Sequence, residues 1–136
     1  MVNVDSFPET FTSNLVPALS RALAHSGRRV RALIMTNPHN PFGQNYPKDV
    51  LEECIIFCHE NKIHYISDEV YALSCFPSRK AKSATSFVSA LSIDIDALGC
   101  DSSFIHTIWS TSKDFGSSGI RMVDLSISSV IATNIC

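Results

Sequence analysis

This chain of 136 residues lacks several things, and each absence narrows what it does. It has no excess of charge of either sign. Eleven lysines and arginines face 13 aspartates and glutamates, so no basic face offers itself to nucleic acid or to an anionic membrane. No apolar run reaches the roughly 18 residues that a membrane-spanning helix needs. The first residues, Met1-Val-Asn-Val-Asp-Ser-Phe-Pro8, lack the basic and apolar regions of a secretory signal. Cysteine is present without a disulfide framework: Cys54, Cys58, Cys75, Cys100 and Cys136 are odd in number and irregular in spacing. They read as reduced and mostly structural, and the chain as cytoplasmic. There is no internal repeat.

What is there suits one globular domain, since 45% of the residues are hydrophobic. Residues 13–25 carry Leu15, Leu19, Ala22 and Leu23 at helical spacing, with Pro17 tolerated in the first turn and Ser26-Gly27 as the stop. Val30 to Thr36 reads as a strand apolar on both faces, as a covered parallel strand is. Asn37-Pro-His-Asn-Pro-Phe-Gly43 can be neither helix nor strand. Pro47 opens a second helix whose apolar stripe is Val50, Leu51, Cys54, Ile55 and Cys58. Ile63–Ser67 is the next strand, followed by Asp68-Glu69. Residues 77–103 read as a Ser-rich loop with a short helix and a basic cluster at Arg79, Lys80 and Lys82. Phe104–Trp109 is the third strand.

Strand, loop, helix, strand with short connections is the βαβ unit of a parallel sheet. Ligands bind such sheets off the carboxyl ends of the strands. The three chemically distinctive segments, Asn37–Gly43, Asp68–Tyr71 and Ser110–Arg121, all fall at such ends. The last holds Lys113 among hydroxyls, with Arg121 eight residues on. A lysine near a core is costly, and a site that desolvates it lowers its pKa, as an amine nucleophile requires. Hydroxyls and an arginine suit a phosphate. Amine and phosphate together suggest an aldehyde cofactor with a phosphate handle. Pyridoxal 5'-phosphate, a cofactor of that kind, needs a lysine for its aldehyde, a carboxylate for its ring nitrogen and donors for its phenolate oxygen, and Lys113, Asp68 and Asn40 with Tyr71 supply them.

Each residue alone has a plainer explanation. A lysine after a strand is usually a solvated loop residue, an aspartate or asparagine there a turn former, an arginine a surface cation, a tyrosine packing. Their joint occurrence at three strand ends is what outweighs this. Rival motifs are weaker. Ser110-Thr-Ser-Lys113 also fits the acylating Ser-x-x-Lys motif, but its Ser-x-Asn and Lys-Thr-Gly companions are absent. Cys54 and Cys58 share a helix face, yet His59 points about 100° away, so no metal site is expected. His39 and His106 have no evident partner.

Thr36-Asn-Pro-His-Asn-Pro-Phe-Gly43, Ser67-Asp-Glu-Val-Tyr71 and Ser110-Thr-Ser-Lys-Asp-Phe-Gly116…Gly119-Ile-Arg121 resemble the signature blocks of class I/II aminotransferases, the fold type I pyridoxal phosphate enzymes. Their wording, with Asn14-Leu-Val-Pro-Ala-Leu19 upstream, is most similar to the 1-aminocyclopropane-1-carboxylate synthase-like branch. The resemblance implies that Lys113 holds the cofactor and shuttles the substrate Cα proton. It implies that Asp68 pairs with the pyridinium nitrogen, that Asn40 and Tyr71 donate to the phenolate oxygen, and that Ser110, Ser112 and Arg121 hold the phosphate. It also implies an amino-acid substrate with a 2-oxo acid, or elimination from S-adenosylmethionine, and a homodimer in full-length relatives.

The implied fold is α/β, a partial three-layer large domain with a mostly parallel sheet. The resemblance runs over roughly residues 10–122; residues 1–122 read as the partial large domain, and residues 123–136 as a divergent tail in which alternating Leu125, Ile127 and Val130 still permit a strand. The family's N-terminal phosphate cradle, stacking aromatic and substrate-binding arginine have no counterpart here. Two functions therefore stand side by side: a pyridoxal phosphate-dependent enzyme, or an inactive fragment that partners a full-length subunit. A sheet short of strands exposes edges and apolar surface, which predicts marginal stability or aggregation.

Overall fold

The computed structural model describes residues 9–76 and 84–127. The basic cluster Arg79, Lys80 and Lys82 and the last residues, including Val130 and Cys136, lie outside the described residues. Helix α1 (Leu15–His25) begins after a turn in which the Leu15 N–H donates to the Thr12 carbonyl at 3.0 Å, so Ser13 and Asn14 precede it. It buries Leu15, Ala18 and Leu19 and ends at Ser26, before Gly27 at φ +58°. That left-handed conformation has no steric cost for glycine.

Helix α2 (Lys48–Glu60) begins after Pro47, whose extended ψ of 148° turns the chain into the helix. Asp49 in its first turn favours the positive helix end, and its Oδ1 accepts from the Val50 N–H at 3.0 Å. The whole predicted stripe is buried, with Phe57 added. Each fully buried aliphatic side chain of this kind contributes about 1.5–3 kcal/mol. The helix stops where the Asn61 N–H and Nδ2 both donate to the Phe57 carbonyl and Lys62 takes φ +55°.

Strands β1 (Ala32–Thr36), β2 (His64–Asp68) and β3 (Ile105–Ser110) are parallel neighbours, and β4 (Val123–Ile127) runs antiparallel beside β3. The mostly parallel α/β sheet is as the sequence implies, and the permitted strand at Leu125 forms. β1 starts at Ala32 rather than Val30. β3 starts at Ile105 because Ser102–Phe104 form a 3-10 turn, capped by Asp101 accepting from the Ser103 N–H at 2.9 Å. The helix expected within 77–103 is the single 3-10 turn Ala90–Ser92 among the described residues there before the Ser102 turn.

The register decides which residues share a face. Tyr65, Met35 and Ile105 pack with the α1 and α2 side chains in one core, with Ala90, Ile93 and Ile95 closing it. Alternate residues point the other way. Thr36, Asp68, Ile108 and Leu125 form one row across the sheet, and Ile34, Ile66 and His106 the next. Among the described residues helices cover only the first face, and Ile34 (63%) and Leu125 (60%) are exposed on the second. His106 does have a partner: its Nε2 lies 2.8 Å from the Nδ1 of His64, which also stacks on Phe104. Parallel register brings two imidazoles 42 residues apart to adjacent strands, which no local pattern reveals. His39 packs among Phe11, Phe42 and Tyr46.

Candidate functional site

The carboxyl ends of the three parallel strands lie together. Two backbone bonds extend the ladders beyond them: the Asn37 N–H donates to the Asp68 carbonyl at 3.0 Å, and the Glu69 N–H to the Ile108 carbonyl at 2.8 Å. The register sets Thr36 opposite Asp68, so the Thr36 hydroxyl reaches Asp68 Oδ2 at 3.4 Å, while Oδ1 accepts from the Val70 N–H. Asp68 stays half-buried on the open face of the sheet.

The Asn37–Gly43 turn is held from within. Asn37 is fully buried; its Nδ2 donates to the Val88 carbonyl at 3.0 Å and its Oδ1 accepts from the Tyr46 N–H at 3.2 Å. That anchors the turn and leaves Asn40 exposed. Asn40 lines a cavity of about 1030 Å³ whose opposite wall carries Tyr71, Ala72 and Ser74, with Thr85 and Phe87 completing it. Asp68, Lys113, Ser110, Ser112 and Arg121 are not among its lining residues.

Glu69 is the buried counterpart of Asp68. Its Oε1 accepts from the Ser67 hydroxyl at 2.9 Å and the Ala90 N–H at 2.8 Å, which ties the end of β2 to the 84–92 segment. Its carbonyl accepts from the Ala72 N–H, starting the 3-10 turn Ala72–Ser74 behind Tyr71.

At the end of β3, Ser110 is buried and caps the one-turn helix α3 (Thr111–Asp114), its Oγ accepting from the Ser112 N–H at 3.0 Å. α3 places the Lys113 Nζ 5.9 Å from the centre of the Tyr71 ring, within cation–π range. The expectation of a desolvated lysine is not met: Lys113 is exposed. The cap engages the Ser110 hydroxyl but only the backbone N–H of Ser112. Arg121, at φ +56°, is brought to the same end because Val123 pairs with Ser110. Its Nη1 donates to the Ser118 carbonyl at 3.4 Å, so the guanidinium lies over its own turn. The sequence therefore named the residues that the fold collects at one end, but not their present hydrogen bonds.

Asp114 escaped the sequence reading. Its Oδ1 accepts from the Ser74 hydroxyl at 2.7 Å, and its Oδ2 from the Leu73 N–H at 3.0 Å and the Trp109 indole at 2.9 Å. Partial burial acts to raise its carboxyl, but the donors from Ser74, Leu73 and Trp109 outweigh it and hold it below the ordinary carboxylate range. Asn37 and Glu69 were likewise given no role. Each has at least one partner distant in sequence, Leu73 and Ser74 for Asp114, Val88 for Asn37 and Ala90 for Glu69, so only their proximity to the motif residues could have flagged them.

The donor set fits pyridoxal phosphate chemically: an amine, a carboxylate at the facing strand end, an amide and a phenol on one cavity, and hydroxyls with a guanidinium near the third strand end. The Thr111 hydroxyl beside Lys113, buried and unbonded among the described residues, is a further donor without a partner. Among the described residues no group of three or more histidine, cysteine or acidic side chains could hold a metal ion, and no helix is long and apolar enough to cross a membrane. Cys54, Cys58 and Cys100 are buried free thiols, and burial pushes the Cys54 thiol up to about 12.

Comparison with known proteins gives one consistent result. The sequence profile of the family "Aminotransferase class I and II" matches residues 2–134. "Probable aminotransferase aclI" of Aspergillus oryzae is 56% identical over 122 residues, covering 90% of this chain and 29% of that protein. "Probable inactive 1-aminocyclopropane-1-carboxylate synthase-like protein 2" of mouse is 41% identical over 120 residues, covering 88% of this chain and 19% of its own length. The chain thus spans less than a third of these relatives. Among solved structures, an aspartate aminotransferase of Thermus thermophilus superposes with a TM-score of 0.61 at 23% identity, covering 88% of this chain and 29% of that one. That likeness shows the fold.

Proposed function

The chain belongs to the class I and II aminotransferases, and from that premise we propose that its strand-end cluster binds pyridoxal 5'-phosphate and serves amino-acid chemistry. The observation that carries this reading is the approach of the Lys113 amine to the Tyr71 ring, 5.9 Å, at the sheet end that also presents Asp68. Asp68 would hold a proton on the ring nitrogen, with the Thr36 hydroxyl orienting its carboxylate. Asn40 and Tyr71 would donate to the phenolate oxygen, and Ser110, Ser112 and Arg121 would hold the phosphate once Arg121 leaves the Ser118 carbonyl. When bound, the cofactor supplies an electron sink for the substrate Cα. Lys113 would hold the cofactor through its amine and would move the proton at the substrate Cα. The substrate class is an α-amino acid with a 2-oxo acid, or the cyclopropane-forming reaction of the similar synthase branch, in the cytoplasm and in a homodimer.

A second reading has its own support. Among the described residues one sheet face is apolar and open, which suits a partner surface for a full-length subunit. One experiment separates the two. Mixing the chain with pyridoxal phosphate should give an absorbance band, with a borohydride-trapped adduct at Lys113 by mass spectrometry, and Lys113→Ala should abolish both. Turnover of an amino acid by the chain alone would establish the enzyme. A chain that gives no band favours the inactive partner.

A further inference from the structure

We propose that Asp114 is the positioning residue of the lysine: its carboxylate fastens the turn carrying Lys113 to the turn carrying Tyr71. This rests on the reading of Lys113 above. The one-turn helix α3 cannot fix itself, since four residues are far below the length at which a helix stands alone. Its start is held by the Ser110 cap and its end by Asp114. The three donors to Asp114 come from two separate pieces of chain: Leu73 and Ser74 immediately follow the Tyr71 turn, 41 and 40 residues away, and Trp109 lies on β3. One carboxylate therefore joins the second and third strand ends at the level of the lysine.

A carboxylate suits this position. All three partners donate, and both carboxylate oxygens are used. An asparagine could keep the Leu73 and Trp109 donors on its single oxygen and turn the Ser74 hydroxyl into an acceptor, so it would weaken the staple by losing its charge. An alanine removes all three bonds. Lys113 itself is exposed and makes a ring contact with Tyr71, so its place is set by the turn beneath it.

The test uses Asp114→Ala and Ser74→Ala, with Asp96→Ala, an exposed acid in the turn before Cys100, as control. Trp109 is the single tryptophan, so its emission reports the indole bond without any cofactor. The acylation rate of the Lys113 amine by acetic anhydride, measured against exposed Lys48 in the same molecule, reports where the amine sits. Asp114→Ala should shift Trp109 emission and change the Lys113-to-Lys48 ratio by at least about threefold, as expected for the loss of at least one hydrogen bond. Ser74→Ala should change the ratio in the same direction by less, and the control should change neither. With pyridoxal phosphate, Asp114→Ala should form the Lys113 band about tenfold more slowly. Unchanged emission would mean that the bond to Trp109 is not made, and shifted emission with an unchanged ratio would mean a turn staple that does not place the amine. Either result overturns the proposal. Should the unsubstituted chain give no band, the cofactor reading fails while the acylation ratio still decides the role of Asp114. If Asp114→Ala does not fold, Ser74→Ala decides by the same ratio.

Discussion

The two faces of the sheet are made from the same strands and have different fates. On one face Tyr65, Met35 and Ile105 are sealed by α2, and Leu51, Ile55 and Cys58 are at most 1% exposed. On the other face Ile34 and Leu125, equally apolar, stand in the open. Hydrophobicity alone therefore does not say which side of a strand matters to stability; what packs on it does. The candidate site sits at the ends of the strands, between the two faces. Its scaffold residues Asn37 and Glu69 are rooted in the packed side, and its chemical residues Asp68, Lys113 and Arg121 lie on the open side.

The largest break in this contrast should come from Leu51→Ala on α2, about 2–5 kcal/mol of stability by urea unfolding, since the cavity is walled by rigid neighbours. A small loss, comparable to that on the open face, would mean that α2 is not tightly packed. Glu69→Ala should come next, at about 1–3 kcal/mol, because it leaves the Ser67 hydroxyl and Ala90 N–H buried without their acceptor. It should also weaken pyridoxal phosphate binding while leaving Lys113 in place, because it loosens the 84–92 segment, whose Thr85 and Phe87 line the cavity of Asn40 and Tyr71. Unaltered binding would uncouple that segment from the site.

The same contrast explains what the sequence could reveal. The stripe Val50, Leu51, Cys54, Ile55, Cys58 is a local signal of period 3.6, and its burial follows from it. The strand ends were legible because prolines, glycines and acids punctuate them. The roles of Asp114 and Glu69 were not, since their partners lie 41 and 21 residues away and only the fold sets those distances. The pairing of His64 with His106 needed the register. The exposed state of Lys113 was misjudged because a strand-end position says nothing about whether anything lies over it.

A smaller effect should come from acid. Partial burial and the neighbouring His64 lower the pKa of His106 from its ordinary 6.5, and burial lowers that of His39. Both imidazoles thus bind protons less readily in the fold than in the unfolded chain, so unfolding takes up protons below that value. Stability should be fully present above about pH 6.5 and decline as the pH falls below it. Urea midpoints at about pH 7.5 and 5.5 measure this, and His106→Gln should flatten the difference. Equal midpoints in the unsubstituted chain would show that the imidazole pair titrates freely.

The smallest effect on stability should come from Leu125→Ser, in the middle of β4 on the open face. It removes apolar surface that is already 60% exposed and leaves the backbone pairing with Ile108 intact. The expected change is within about 0.5 kcal/mol, as for surface substitutions that touch no buried group. Its effect on self-association should be in the opposite proportion. An apolar patch that takes Ile34 and Ile66 from one row and Ile108 and Leu125 from the next is the kind of surface that draws chains together, and one serine in it interrupts the patch. Sedimentation should therefore show less association for Leu125→Ser than for the unsubstituted chain, at nearly the same unfolding midpoint. A large loss of stability with unchanged association would mean that the open face is covered in solution, and the two faces would then differ less than their exposure suggests.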